Sequence, residues 1–191
     1  SVCSQGCAGT SCAPDSWLVT RIDHRAEWTS LAVDPLERPH LAYLHQGDLQ
    51  VASRTDLGWQ VSPVDLAVGS VSPITLLADG SGGLHLLYEE YANHNVRYAY
   101  RAFGAATFTV EFVATSGDVA PIAMALDAQG VPHVAYLDRS NARVVVVVRS
   151  GAGWSITHSM SGGGPSIMGD LELGPSGEPY LALASYRYTS G

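Results

Sequence analysis

The sequence predicts an all-β protein, a β-propeller of four-stranded antiparallel blades with about four blades in this chain. Three observations predict it. A strand–turn–strand phrase recurs as Asp34-Pro35-Leu36-Glu37-Arg38-Pro39-His40, Asp79-Gly80-Ser81-Gly82-Gly83-Leu84-His85, Asp127-Ala128-Gln129-Gly130-Val131-Pro132-His133 and Gly174-Pro175-Ser176-Gly177-Glu178-Pro179-Tyr180. The columns Asp34, Asp79, Asp127, Gly174 and His40, His85, His133, Tyr180 keep step without a gap, at a period of roughly 45 to 48 residues, the length of a propeller blade. Between the turns, short segments rich in β-branched and aromatic residues alternate with Gly and Pro, and none keeps helical periodicity over about ten residues.

Residues 1–15 are small and polar and read as an irregular arm carrying Cys3, Cys7 and Cys12; residues 16–191 read as the propeller. A first strand over 16–23, centred on Trp17–Ile22, matches the aromatic-led strands that close later repeats, Trp59–Ser62, Phe108–Glu111 and Trp154–Thr157. Repeats follow at approximately 24–66, 67–115, 116–161 and 162–191. Each opens with an apolar strand (Thr29–Val33, Ile74–Ala78, Ile122–Leu126, Ile167–Leu173), turns on Asp or Gly, and returns as the His-x-x-Tyr strand. A third strand spans Leu49–Ser53, Val96–Arg101 and Val144–Arg149. The run Val144–Val148 lacks a period of two, which predicts burial on both faces. Repeat four lacks its closing strand and the strand at 16–23 is unmatched, so the N-terminal strand is expected to close the last blade. Otherwise the chain is part of a longer array.

Composition narrows the function. Of 191 residues, 46% are apolar and 15% charged, a globular balance. No window approaches the roughly 18 to 20 apolar residues of a membrane helix. A net charge of -8 with ten basic residues disfavours nucleic acid, and any polyanion unless a local patch opposes the mean. Three cysteines spaced C-x3-C-x4-C lack the paired spacing of a zinc site. They predict one disulfide between two of Cys3, Cys7 and Cys12, and a secreted or cell-surface setting. The odd cysteine and the incomplete last blade point to self-association or a longer parent chain.

The units Met124-Ala125-Leu126-Asp127…Gly130-Val131-Pro132-His133-Val134-Ala135-Tyr136 and Ser30-Leu31-Ala32-Val33-Asp34…Arg38-Pro39-His40-Leu41-Ala42-Tyr43 resemble the sialidase-type (BNR-like) propeller repeats of secreted bacterial proteins. The likeness covers nearly everything after residue 16. It implies a propeller used for lectin-like, adhesive or enzymatic work. The family's Asp-box, S-x-D-x-G-x-x-W, survives only as the fragments Thr55-Asp56-Leu57-Gly58-Trp59 and Ser150-Gly151-Ala152-Gly153-Trp154. With so few arginines, the cluster that grips a sialic acid carboxylate is not expected.

Four chemical patterns stand out. His40, His85 and His133 would sit at one height, as three metal-binding imidazoles must, but each is expected to bond a backbone group in its own blade. Asp170 and Glu172, two apart on a strand, face one way and suit a hard cation, an acid/base pair or a solvated face. The variable loops carry Trp28, His45, Tyr91, His94, Asn95, Asp138, Arg139 and Asn141, residue types used to bind sugars or proteins. In the manner of polysaccharide lyases on similar propellers, His45, Tyr91 and His94 would instead neutralise a carboxylate and move a proton. No Ser-His-Asp arrangement, phosphate loop or nucleotide fingerprint is read, and no cofactor is expected. The sequence therefore predicts a non-catalytic extracellular module recognising neutral glycans or a protein surface. The alternative is a carbohydrate-active enzyme or a fragment of one.

Overall fold

The computed structural model describes residues 19–66, 68–69, 73–115, 118–151, 153–162 and 167–185. All regular structure among them is β. Sheet 1 contains β1 (Ala26–Val33), β2 (Pro39–His45), β3 (Asp48–Thr55) and β4 (Gly58–Asp65) in spatial order 1-2-3-4. Sheet 2 repeats that order with β5 (Ile74–Ala78), β6 (Leu84–Glu90), β7 (Asn95–Arg101) and β8 (Thr109–Ala114). Sheet 3 repeats it with β9 (Val119–Leu126), β10 (Pro132–Asp138), β11 (Arg143–Ser150) and β12 (Gly153–Ser161). Sheet 4 is the pair β13 (Ile167–Leu173) and β14 (Pro179–Ser185).

The repeated phrase forms one turn four times. The Asp34 N–H donates to the Arg38 carbonyl at 3.0 Å and the Glu37 N–H returns to the Asp34 carbonyl at 2.9 Å. The same two bonds recur at Asp79, Asp127 and Gly174. The fourth turn residue is left-handed in every copy: Glu37 (φ 59°), Gly82 (86°), Gly130 (78°) and Gly177 (87°). That conformation selects glycine in three copies and strains Glu37 in the fourth.

Sheets pack face to face: β1 lies on β5, β9 lies across β5, β6 and β7, and β13 lies on β9. Each interface owns a hydrophobic cluster. Leu44, Leu49 and Val51 meet Leu84, Leu86 and Tyr88 between sheets 1 and 2. Leu87, Val96 and Tyr98 meet Val134, Val145 and Val147 between sheets 2 and 3. Val144 and Val146 meet Leu171 and Leu181 between sheets 3 and 4. The valine run is buried on both faces as its missing period required: alternate side chains feed opposite interfaces. Each buried Val or Leu withdraws enough surface to stabilise by roughly 1.5–3 kcal/mol.

Two expectations change. Val19–Ile22 form no strand, so among the described residues no N-terminal strand completes sheet 4. Among the described residues the sheets do not close into a ring: β1 does not pack on β13 as it packs on β5. A strand is made by the neighbour that takes its hydrogen bonds, and a local match to Trp59–Ser62 supplies no neighbour. Trp17, the three cysteines and the expected third strand of the last repeat from Tyr186 onward lie outside the described residues.

Candidate functional site

The antiparallel order fixes two ends. Asp-turns and β3–β4-type hairpins share one end; β2–β3-type loops and inter-sheet connections share the other.

At the loop end, Gln46 (φ 52°), His94 (φ 49°) and Ala142 (φ 47°) take left-handed conformations at matched turns. The sequence candidates lie here and bond mostly to their own loops. Tyr91, 60% exposed, meets His94 edge-on at 5.2 Å, and His94 Nδ1 lies 2.9 Å from Glu89 Oε1. Asn95 donates to Glu90 at 2.8 Å. Asp138 is buried and accepts from Asn141 and Arg143, both at 2.9 Å, while Arg139 turns to Asp118 at 3.0 Å. His45 Nδ1 stands 2.7 Å from Asp23 Oδ2, close but not aligned as a hydrogen bond. Trp28 is exposed at the start of β1. The loops thus unite Tyr91 with His94 and Asp138 with Asn141, not all eight residues in one pocket.

At the turn end, His40 and His85 each bond a carboxylate of their own sheet rather than the expected backbone group, and His133 bonds neither. Asp34 accepts from the Leu36 and Arg38 N–H groups, both at 2.9 Å, from the Arg38 guanidinium at 2.8 and 2.6 Å, and from His40 Nε2 at 3.2 Å. Burial alone would raise its carboxyl; the donors, Arg38 foremost, outweigh burial and hold it at about 2. Asp79 accepts from Ser81, Gly83 and His85 Nε2, the last at 3.0 Å, and the same balance drops it far below the carboxylate range. His133 stands 3.9 Å from Asp127, and its buried Nδ1 has no partner. Burial lowers the pKa of all three imidazoles. No group of three or more metal-ligating side chains assembles among the described residues. Asp170 and Glu172 lie side by side on β13, exposed, on the face away from buried Leu171.

One arrangement contradicts the sequence reading. Ser53 Oγ lies 2.8 Å from His40 Nδ1, so Ser53, His40 and Asp34 form a hydrogen-bonded line where no Ser-His-Asp set was expected. Because Nε2 faces the carboxylate and carries the proton, Nδ1 accepts and Ser53 donates. In sheet 2 the Tyr98 hydroxyl takes the serine's place at 2.7 Å from His85 Nδ1. The line is therefore a repeated support for the second and third strands.

Above these supports, two clefts open between neighbouring sheets. The first, about 240 Å³ between sheets 1 and 2, is lined by Arg38, Arg54, Arg101, Ser53, Ser62, Gln60 and Phe103, with no carboxylate. The second, about 390 Å³ between sheets 2 and 3, is lined by Asp79, His85, Tyr98, Tyr100, Gln129 and Arg149. Arg54, Arg101 and Arg149 hold one position, directly after the third-strand residue paired with the column histidine (Ser53, Tyr100 and Val148). Each end arginine of sheets 2 and 3 leans onto the preceding sheet. Arg149 pairs with Glu111 at 2.7 and 3.3 Å. Arg101 meets Ser53 at 3.0 Å and Ser62 at 3.4 Å, over the Phe108 ring at 4.7 Å. Among the described residues Arg101 and Arg54 make no ion pair. Glu111 raises the Arg149 pKa, whereas burial lowers that of Arg101. Sequence reasoning missed these clefts, although an arginine recurring at Arg54, Arg101 and Arg149 was visible in the chain.

No protein-family model matches this chain, and no curated protein matches it. Any functional conclusion therefore rests on the site itself.

Proposed function

We propose that this chain is a non-catalytic, extracellular recognition module that binds sugars in the clefts between successive antiparallel sheets. One observation carries the reading: the same inter-sheet cleft occurs twice over the same support, with different linings. Repeats that keep a scaffold and vary a surface are placing that variation against a partner or solvent. Aromatic rings at Tyr98, Tyr100 and Phe103, amides at Gln60 and Gln129, and guanidinium groups suit the apolar faces and hydroxyls of a sugar. The resemblance to sialidase-type repeats, the crowded N-terminal cysteines and the absence of lysine among ten basic residues in an acidic chain agree with such a role. A glycan array, followed by titration of hits against Tyr100→Ala, Arg101→Gln and Gln129→Ala, tests it. Binding that ignores all three substitutions would place the site elsewhere, and the loop end would be next.

A carbohydrate-active enzyme is the second reading, favoured by exposed Tyr91 and part-exposed His94 set over the buried Glu89 carboxylate. A polyuronide substrate converted to ultraviolet-absorbing unsaturated product, with activity lost in His94→Ala, would establish it.

A further inference from the structure

Among the differences between the two clefts, the acceptor that meets the bridging arginine and the carboxylate content of the lining select a ligand. In the strand register, Ser62 opposite Val51 occupies the place that Glu111 opposite Tyr98 occupies one sheet later. Glu111 neutralises the arginine that reaches it; Ser62 does not. Arg101 is half-buried, placed over the Phe108 ring and given only hydroxyl acceptors. Ser53 is committed, since its proton goes to His40 and its oxygen to Arg101. The 3.4 Å contact to Ser62 is at the limit of a hydrogen bond, which leaves Nη1 the donor most easily claimed by a stronger acceptor. A guanidinium offers five N–H donors in a planar fork that matches an oxyanion, and desolvating it without a counter-charge is costly. Arg54 lines the same cleft without an ion pair, and Arg38 forms its opposite wall over Phe103 at 5.0 Å. Of the three arginines on this cleft, Arg38 is already paired with Asp34, so Arg54 and Arg101 bring unpaired charge to a lining that holds no carboxylate.

We propose that the cleft between sheets 1 and 2 binds an oxyanion, the carboxylate or sulfate of an acidic sugar, in the fork of Arg101 with Arg54 beside it. The second cleft, closed by its own Arg149–Glu111 pair, takes uncharged groups. The sugar part of this inference rests on the function proposed above; the oxyanion part rests on Arg101 alone.

Inorganic sulfate is the first probe, titrated by calorimetry at ionic strength held constant with chloride. The wild-type chain should take up one sulfate saturably. Arg101→Gln should weaken binding by about 10- to 100-fold, the loss expected for a charged hydrogen-bonded pair. Ser62→Glu keeps Arg101 and supplies the missing counter-charge, so it should weaken sulfate similarly without removing any donor. Absence of saturable sulfate binding, or binding that both Arg101→Gln and Ser62→Glu leave intact, overturns the proposal. Glucuronate, N-acetylglucosamine 6-sulfate, inorganic phosphate and glucose form the second arm. Acidic sugars binding tighter than sulfate, with glucose silent, supports the full inference. Sulfate binding with no gain from either acidic sugar keeps the oxyanion site and overturns the sugar assignment.

Discussion

Arg101 and Arg149 occupy the same place in consecutive sheets and live under opposite electrostatics. Arg149 crosses an interface to Glu111, which raises its pKa and fastens sheet 3 to sheet 2. Arg101 crosses the neighbouring interface to two serines, and burial lowers its pKa. The side chain, the register and the reach are the same; only the acceptor differs. A repeated arginine is thus a structural tie in one interface and a candidate ligand donor in the next, and the residue it lands on decides which.

The turn carboxylates give the largest way to break that comparison, since they support both clefts. Asp79→Ala removes a buried group with four hydrogen-bond donors, so it should cost about 3 kcal/mol. Asp127→Ala loses only two backbone donors, because His133 stands 3.9 Å away, and should cost about 1 kcal/mol. Urea unfolding of both variants checks the ranking; equal costs would deny the second cleft its stronger support.

Acid should loosen both clefts in a fixed order. His40, His85 and His133 have lowered pKa values, so their contribution is complete above about pH 6.5 and declines as the pH falls below it. Asp34 and Asp79 also have lowered values, so theirs is complete above about pH 4 and is lost as the pH falls toward 2. Melting temperatures at pH 7.5, 5.5 and 3.5 should therefore fall at each step. A rise between 7.5 and 5.5 would mean that the imidazoles are charged in the folded protein.

Much of the fold was legible because its signals are local. A turn needing one left-handed residue writes Gly82, Gly130 and Gly177 into the chain, and a strand packed on both faces writes five valines in succession. The closing strand was misread because its hydrogen-bond partner is not a local property. The clefts were illegible for the same reason: Arg101 meets residues 39 and 48 positions away, on another sheet. The loop residues drew attention by varying between repeats, yet Asp138 and Asn95 vary in order to satisfy their own turns.

Exchanging the acceptors sharpens the comparison at lower energy. Glu111→Ser should cost about 1 kcal/mol, since its partially exposed pair is worth little more than a surface ion pair. Ser62→Glu should return less than about 1 kcal/mol by giving Arg101 a partner. Thermal unfolding of the two variants and their combination should be near additive, as the clefts are separate. The smallest expected effect is Glu37→Gly. It relieves the one strained copy of the turn, with a gain of about 0.5 kcal/mol set against the freer unfolded chain. A loss would show that Glu37 makes contacts its conformation requires.

The three hydrophobic clusters each straddle a single interface, and none reaches a third sheet. Cohesion in this molecule is therefore a nearest-neighbour quantity, like the coupling between spins on a short line. Such a line has no centre from which order collapses; it loses order by moving a boundary along itself. Sheets 2 and 3, coupled on both sides, should hold their amide protons longest. Sheets 1 and 4, each coupled on one side among the described residues, should release theirs first, with the boundary pausing wherever an arginine pins one sheet to the next.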